Sequence, residues 1–376
     1  MAPSGWQASI QAMINANERR QGRLNNDPKP HSLDRGFQVL ENRNQNHQNS
    51  PNFRDEIVEE RQEGLRSCVK AFGDALVRFG GRYKNVVVLD ANSSKFMNTS
   101  GFALAYPSRY FNFGNSEENM ISAAAGFTVR GKIPFVTSYA MFSAGRAWEQ
   151  IRNALAYPYL NVKIVGAGGG IFNGDGGGTF QALEDLAIMR AIPNMKVLCP
   201  ADALETKKMV EAMMGDFGPT YLRLPVGFSP VLHNENDEWG KEVVRNGYKF
   251  GKGHVYTAGT DVCIFAIGTA VAVSLQARDM LEREGISTMV VNIPSLRPID
   301  EGLIVECAKQ ARQIVTVEDH QIVGGLGSAV MEVLSENYPM KVMRIGMDGF
   351  GESGKAAELY KKFGMDAEGI CERIKN

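Results

Sequence analysis

The sequence predicts an α/β protein of two three-layer αβα domains with mainly parallel sheets, preceded by a polar N-terminal extension. Three observations carry that prediction. The chain has 376 residues, above the roughly 250–300 at which a single hydrophobic core stops growing, so it should divide. Short apolar runs alternate with helical patterns over most of its length, the signature of βαβ units with helices on both sheet faces. Residues 1–56 lack this alternation. They hold nine Asn before position 53 and tracts such as "LENRNQNHQNS", too few apolar residues to bury a core of their own.

Within that extension, Trp6, Ile10, Met13 and Ile14 recur at helical spacing. The stripe predicts a short amphipathic helix that docks either on its own subunit or on a partner. The first domain is expected over 57–232, with strands at "NVVVLDA", "IPFVTSYA", "NVKIVGA", "MKVLCPA" and "TYLRLP" and helices at "SEENMISAAAGFTV" and "GRAWEQIRNALAY". Residues 233–246 read as a polar linker, in which His233 is expected to be exposed, as is His254 beyond it. The second domain, 247–376, repeats the alternation: "DVCIFAIG", a helix with Val273, Ala277, Met280 and Leu281 on one face, then "STMVVNI" and "QIVTVED". No internal repeat is present.

Composition excludes several classes. A formal charge of -1 gives no reason to expect nucleic acid or an anionic membrane as partner. The five cysteines, Cys68, Cys199, Cys263, Cys307 and Cys371, are scattered and without C-x-x-C spacing, so they read as buried thiols and not as a disulfide framework or a zinc site. No run approaches the ~18 apolar residues of a membrane span, and the N-terminus lacks the apolar segment of a signal peptide, which makes the cytoplasm the expected location.

Parallel sheets place ligands at the carboxyl ends of their strands. One such loop, "GAGGGIFNGDGGGTF" at 166–180, packs eight glycines into fifteen positions. It is not a phosphate loop of the G-x-x-x-x-G-K-[ST] kind, since no Lys-Ser or Lys-Thr follows. A dinucleotide fingerprint from Gly166 fails at Ile171. Another loop opens "NSEENM", where Ser116 suits an N-cap and Glu117 and Glu118 occupy a helix's positive first turn.

From "FGNSEENM" through "GRAWEQIRN", "QALEDLAIMRAIPNMKVLCPAD", "PSLRPID" and "EDHQIVGGLGSAV" to "RIGMDGFGESGK", residues 60–376 closely resemble the C-terminal subunit of split transketolases, thiamine diphosphate enzymes whose usual single chain is divided in two. The resemblance implies a pyrimidine-binding domain followed by a transketolase C-terminal domain. It matches Glu117 to the glutamate that hydrogen-bonds the cofactor's aminopyrimidine ring and promotes proton removal from the thiazolium carbon. It matches Tyr139 and Phe142 to aromatic positions that pack on that ring, and it puts Asn92 among the cofactor contacts, in place of the second aspartate of a D-A-D. It also implies that the diphosphate and its Mg2+ or Ca2+ lie on a separate N-terminal subunit, in a heterotetramer built on a dimer of this chain. Gly174-Asp175-Gly176 duplicates the diphosphate motif only by coincidence.

The same resemblance exposes departures. Relatives carry a Thr-His pair where this chain has Ala167-Gly168, and Gly-Ala-Thr-His-Gln where it has Gly178-Thr179-Phe180-Gln181. Gly176 replaces an aspartate that recognises a donor hydroxyl. The substrate loop, represented by Gly168, Gly176, Phe180 and Gln181, is therefore expected to have more room and more backbone freedom. Two phosphate-binding arginines align with Val69 and Val226, with Arg66 and Arg223 close by. Glu318, Asp319 and His320 lie in a segment the resemblance puts away from the chemistry. The expected function is transfer of a short two-carbon ketol or acyl unit from an altered donor. A decarboxylating subunit of the 2-oxo acid dehydrogenase E1 β type and a degenerate structural subunit are the alternatives.

Overall fold

A computed structural model describes residues 64–376 of the protein. The Trp6–Ile14 helix and the boundary at 56 lie outside the described residues. Fourteen strands in this region form three sheets.

The first large sheet has seven strands. In spatial order they are β12 (Ser295–Arg297), β6 (Lys196–Leu198), β7 (Thr220–Leu224), β5 (Lys163–Ala167), β4 (Ile133–Tyr139), β2 (Val86–Asp90) and β3 (Tyr110–Asn112). All pairings are parallel except that of β12 with β6. Every residue of β2, β5 and β7 is buried, because helices on both faces leave no solvent side; the one charged residue on each, Asp90, Lys163 and Arg223, is held by hydrogen bonds. The Cys68–Arg82 helix starts where the Ser67 hydroxyl accepts from the Lys70 N–H at 3.2 Å. It packs on the Ala203–Gly215 helix, whose N-cap Asp202 accepts from the Glu205 N–H.

The second large sheet runs β14 (Val342–Met347), β13 (Gln313–Gln321), β10 (Val262–Ile267), β11 (Thr288–Asn292), β9 (His254–Thr257), with only β9 antiparallel. The small pair β1 (Leu65–Arg66) and β8 (Ser229–Pro230) is antiparallel. The strands expected from apolar runs are all present. Sequence reading did not identify β3, β9, β12 or β14, which are edge strands of their sheets and carry less continuous apolar character. β12 also crosses the expected boundary: "PSLRPID" follows the second domain's strand β11 yet pairs with β6 of the first sheet.

The expectation that His233 and His254 are exposed is corrected. The linker holds a helix, Glu238–Asn246, capped by Asp237 accepting from the Gly240 N–H at 2.6 Å. His233 is not exposed: its ring stacks on Trp239 at 3.8 Å and its Nε2 meets the Tyr256 hydroxyl at 2.6 Å. Burial pushes its pKa down to about 3. His254 is half-buried in the same aromatic group. All five cysteines are buried and free.

Candidate functional site

The carboxyl ends of β2, β4 and β5 converge, as expected for a ligand site on a parallel sheet. Three turns prepare it. After β2, the buried Asp90 carboxylate accepts from the Ser93 N–H at 2.6 Å and from the hydroxyls of Ser93, Thr137 and Thr99. That network pins the loop that carries Phe96. After β3, Asn112 Oδ1 accepts from the N–H groups of Asn92 and Gly114 at 3.2 and 2.9 Å. Gly114 takes φ +65°, which a residue without Cβ adopts at no cost, and this turn feeds the Glu117–Val129 helix. Ser116 holds the N-cap position but its hydroxyl caps nothing.

Glu117 opens that helix with only 2% of its surface exposed. The positive end of the helix favours a carboxylate there. Its Oε1 lies 3.4 Å from the Ser138 hydroxyl, and its Oε2 accepts from Arg146 Nη1 at 2.9 Å. Arg146 is the open side of this pair, with 44% of its side chain exposed.

After β4 the chain enters a π-helical turn, Met141–Arg146, a wide turn that often marks a functional site. It brings Tyr139, Phe142 and Phe180 into edge-to-face contact, with centroids 5.2–6.0 Å apart. Phe96 stacks on Tyr139 at 4.0 Å. Burial raises the Tyr139 pKa, so its phenol stays protonated at neutral pH. The Arg146 guanidinium covers the Phe142 ring, 4.8 Å from its centroid. The structure thus brings Glu117, Tyr139, Phe142 and Phe180 together. Asn92 is exposed on its turn with φ +56°.

The glycine loop corrects the expectation of extra room. Its glycines are sites of close approach, filled by neighbours. A Cβ at Gly170 would overlap the Asp319 carboxylate, one at Gly169 the Arg223 guanidinium, and one at Gly174 the Gly354 carbonyl. At Gly176 it would lie 2.7 Å from Asn173 Nδ2 and 3.0 Å from Phe180 Cβ. Asn173 in turn donates to the Gly168 carbonyl at 3.1 Å. Gln181 points into the protein, where its Nε2 donates to the carbonyls of Asn173, Gly174 and Glu352. Asp175 stands exposed. Among the described residues no cluster of three or more His, Cys, Asp or Glu could hold a metal ion.

The arginines near the lost phosphate positions point elsewhere. Arg66 donates to the carbonyl of Leu65. Arg223 is buried, pairs with Asp185 at 3.3 Å and donates to the Asp319 carbonyl at 2.8 Å. Around it runs a polar seam between the large sheets. The Asp319 carboxylate accepts from the N–H groups of Ile171 and Phe172 at 2.8 and 3.0 Å, and the Gln321 N–H donates to Leu183. Glu318 accepts from the N–H groups of Leu326 and Gly327. Burial pushes the pKa of His320 down to about 4. Asp319 and His320 bond across to the first domain, His320 through the Ala187 N–H, while Glu318 caps the start of the helix that follows its own strand.

Sequence reasoning missed Phe96, Ser138, Asn173 and Arg146. Arg146 carried a signal, since it follows Phe142 by four residues, the spacing that stacks side chains on one helix face. Phe96 and Asn173 depend on loop paths that no periodicity encodes.

An acid buried beside an aromatic wall at the strand ends of one α/β domain, with a second α/β domain clasped to it, places the molecule among two-domain α/β proteins with a site at the carboxyl ends of a parallel sheet. Residues 66–229 match the transketolase pyrimidine binding domain and 251–370 the transketolase C-terminal domain. The chain is 45% identical over 314 residues to a putative transketolase C-terminal section of Methanocaldococcus jannaschii, covering 83% of this chain and 95% of that one. It is 36% identical over 298 residues to the 6-deoxy-6-sulfo-D-fructose transketolase subunit SqwH of a Clostridium species, covering 79% and 90%. A solved split gene transketolase, an inactive β4 tetramer, superposes with a TM-score of 0.73 at 41% identity, covering 82% of this chain and 97% of that one. The chain belongs to the transketolase family, in the form of a split subunit. That family uses thiamine diphosphate. Among the described residues no helix is long and apolar enough to cross a membrane.

Proposed function

We propose that this chain is the pyrimidine-binding subunit of a thiamine-diphosphate-dependent transferase that moves a short two-carbon ketol or acyl unit. Its two working domains are 57–232 and 247–376. The observation that carries this reading is Glu117, buried at a helix N-terminus beside an aromatic wall and half-covered by a flat donor group, the Arg146 guanidinium. The Glu117 carboxyl and the aromatic wall fit an aminopyrimidine ring, which offers a flat face and hydrogen-bonding nitrogens. When bound, thiamine diphosphate supplies a nucleophilic thiazolium carbon and an electron sink for carbon–carbon bond cleavage. Glu117 holds the proton shared with the pyrimidine nitrogen, away from bulk water. Tyr139, Phe142, Phe180 and Phe96 orient the ring and exclude solvent.

The diphosphate and its Mg2+ or Ca2+ need several oxygen ligands in fixed geometry, and they belong to an N-terminal transketolase-like partner in the cytoplasm. The assembly is a heterotetramer on a dimer of this chain. The inactive tetramer formed by the β chain of the solved relative supports that dependence. The Clostridium relative, named for a sulfosugar, favours ketol transfer over decarboxylation. Gly168, Gly176 and Phe180 line the donor side, where the absence of histidine and aspartate suits a smaller or differently decorated donor.

The test is to mix this chain with its partner, thiamine diphosphate and Mg2+, and to screen ketoses and 2-oxo acids for transfer and for released carbon dioxide. Turnover that needs the cofactor yet survives Glu117→Ala would sink the assignment.

A further inference from the structure

The two contacts that the proposed function asks of an aminopyrimidine are a hydrogen bond to Glu117 and stacking against Phe142. Both are already made within this chain by one side chain. Arg146 Nη1 donates to Glu117 Oε2 at 2.9 Å, and its guanidinium lies 4.8 Å from the Phe142 centroid. A guanidinium is flat, carries several N–H donors in a fixed fork, and stacks on aromatic faces. An aminopyrimidine is likewise flat, stacks on aromatic faces and hydrogen-bonds a carboxyl group, in its case through a ring nitrogen that accepts. The two members of the pair differ in freedom: the Glu117 side chain is 3% exposed and Arg146 44%. A buried carboxylate without a partner is costly, so a subunit made separately from its cofactor-holding partner needs something in this place.

We propose that Arg146 is a place-holder for the aminopyrimidine: it occupies the ring's position against Glu117 and Phe142 in the isolated chain and is displaced when the cofactor enters. It is a positioning residue, acting through the carboxylate it covers. The inference rests on the reading of Glu117 as the pyrimidine's partner. It adds that ring and guanidinium compete for one site, so that removing the guanidinium tightens binding, whereas a permanent structural partner would weaken it.

The full chain is titrated with thiamine's aminopyrimidine half, as its free hydroxymethyl alcohol, and binding is read from ligand NMR line widths. The variants are Arg146→Ala, Arg146→Lys and Glu117→Ala, with thermal unfolding as a check on the fold. Arg146→Ala is expected to bind the pyrimidine about tenfold tighter than wild type, the size of one charge-assisted hydrogen bond relieved of competition. Arg146→Lys, which keeps the charge without the plane, should fall between them. Added guanidinium ion at millimolar, non-denaturing concentration should compete with the pyrimidine in Arg146→Ala and not in wild type. Equal or weaker binding by a folded Arg146→Ala, or insensitivity to guanidinium, overturns the place-holder. Absence of measurable binding in both wild type and Arg146→Ala overturns it too, because clearing the ring face would then open no site. If Glu117→Ala instead binds as wild type does, the assignment of Glu117 itself has failed, a separate outcome.

Discussion

Two places in this molecule bury carboxylates beside an arginine, and they are built in opposite ways. At the seam between the large sheets, Asp319 takes both N–H groups of Ile171 and Phe172, and Arg223 is itself buried between Asp185 and a main-chain carbonyl; beside them, Glu318 takes the N–H groups of Leu326 and Gly327 at the start of the next helix. At the strand ends, Glu117 has one long contact to Ser138, and its short partner is a half-exposed side chain. Backbone donors cannot leave, whereas a half-solvated guanidinium can. Burial of an acid is therefore poor evidence for a site; burial with a replaceable partner is much better evidence.

The largest expected effect separates the two places directly. Glu117→Ala should lower cofactor-dependent turnover by about 10³-fold, within the range of general acid–base loss. Its stability should shift by no more than about 1 kcal/mol, because Arg146 returns to water. Arg223→Ala should do the reverse. It leaves Asp185 buried with the Tyr221 hydroxyl at 2.7 Å and the His320 ring at 4.0 Å, and breaking such a pair costs about 3–5 kcal/mol. Turnover and urea midpoints on the same two variants check both halves. A large stability loss in the first variant, or a small one in the second, would dissolve the contrast.

The seam also has a pH signature. Burial holds His320 at about 4, below its ordinary 6.5. Its contribution is thus whole above pH 6.5 and is lost as pH falls towards 4. Burial raises Glu318 from 4.5 to about 7. Its contribution is whole below pH 4.5 and is lost as pH rises through 7. Between pH 4.5 and 6.5 the two slopes oppose each other. Glu318→Gln removes one of them, so the variant should lose stability more steeply than wild type as pH falls across that window, by roughly 2 kcal/mol. Urea unfolding at a series of pH values measures the slopes; parallel curves for variant and wild type would refute the opposition.

Much of the fold was legible in the sequence because buried parallel strands such as "NVVVLDA" and "DVCIFAIG" are apolar runs bounded by turn residues, a pattern that needs no knowledge of partners. β12 was not legible: three residues of "PSLRPID" pair with a strand a hundred positions earlier, and only tertiary structure selects that edge. The site divides in the same way. Glu117, Tyr139 and Phe142 lie within one continuous stretch whose motif could be recognised. Phe96 and Asn173 enter from other loops. The glycines of 166–180 suggested vacancy because a sequence shows a missing side chain and hides the neighbour that fills its place.

The smallest expected effect probes that filling. Gly176 does not take a positive φ, so an aspartate there meets no backbone penalty, only the Asn173 amide and Phe180. Gly176→Asp should cost about 1 kcal/mol as Asn173 gives up its bond to the Gly168 carbonyl, a modest fall in the urea midpoint. Restoring the relatives' residue type should not by itself restore use of a hydroxylated donor, because Asn173 still occupies the space. The double variant Gly176→Asp with Asn173→Gly should lose less stability than the sum of the two single changes, since they share one contact. Donor screening on the double variant should then show the gain in hydroxylated sugars that the single variant lacks. Strict additivity, or a gain from Gly176→Asp alone, would mean that the loop has spare room after all and that Asn173 is not what fills it.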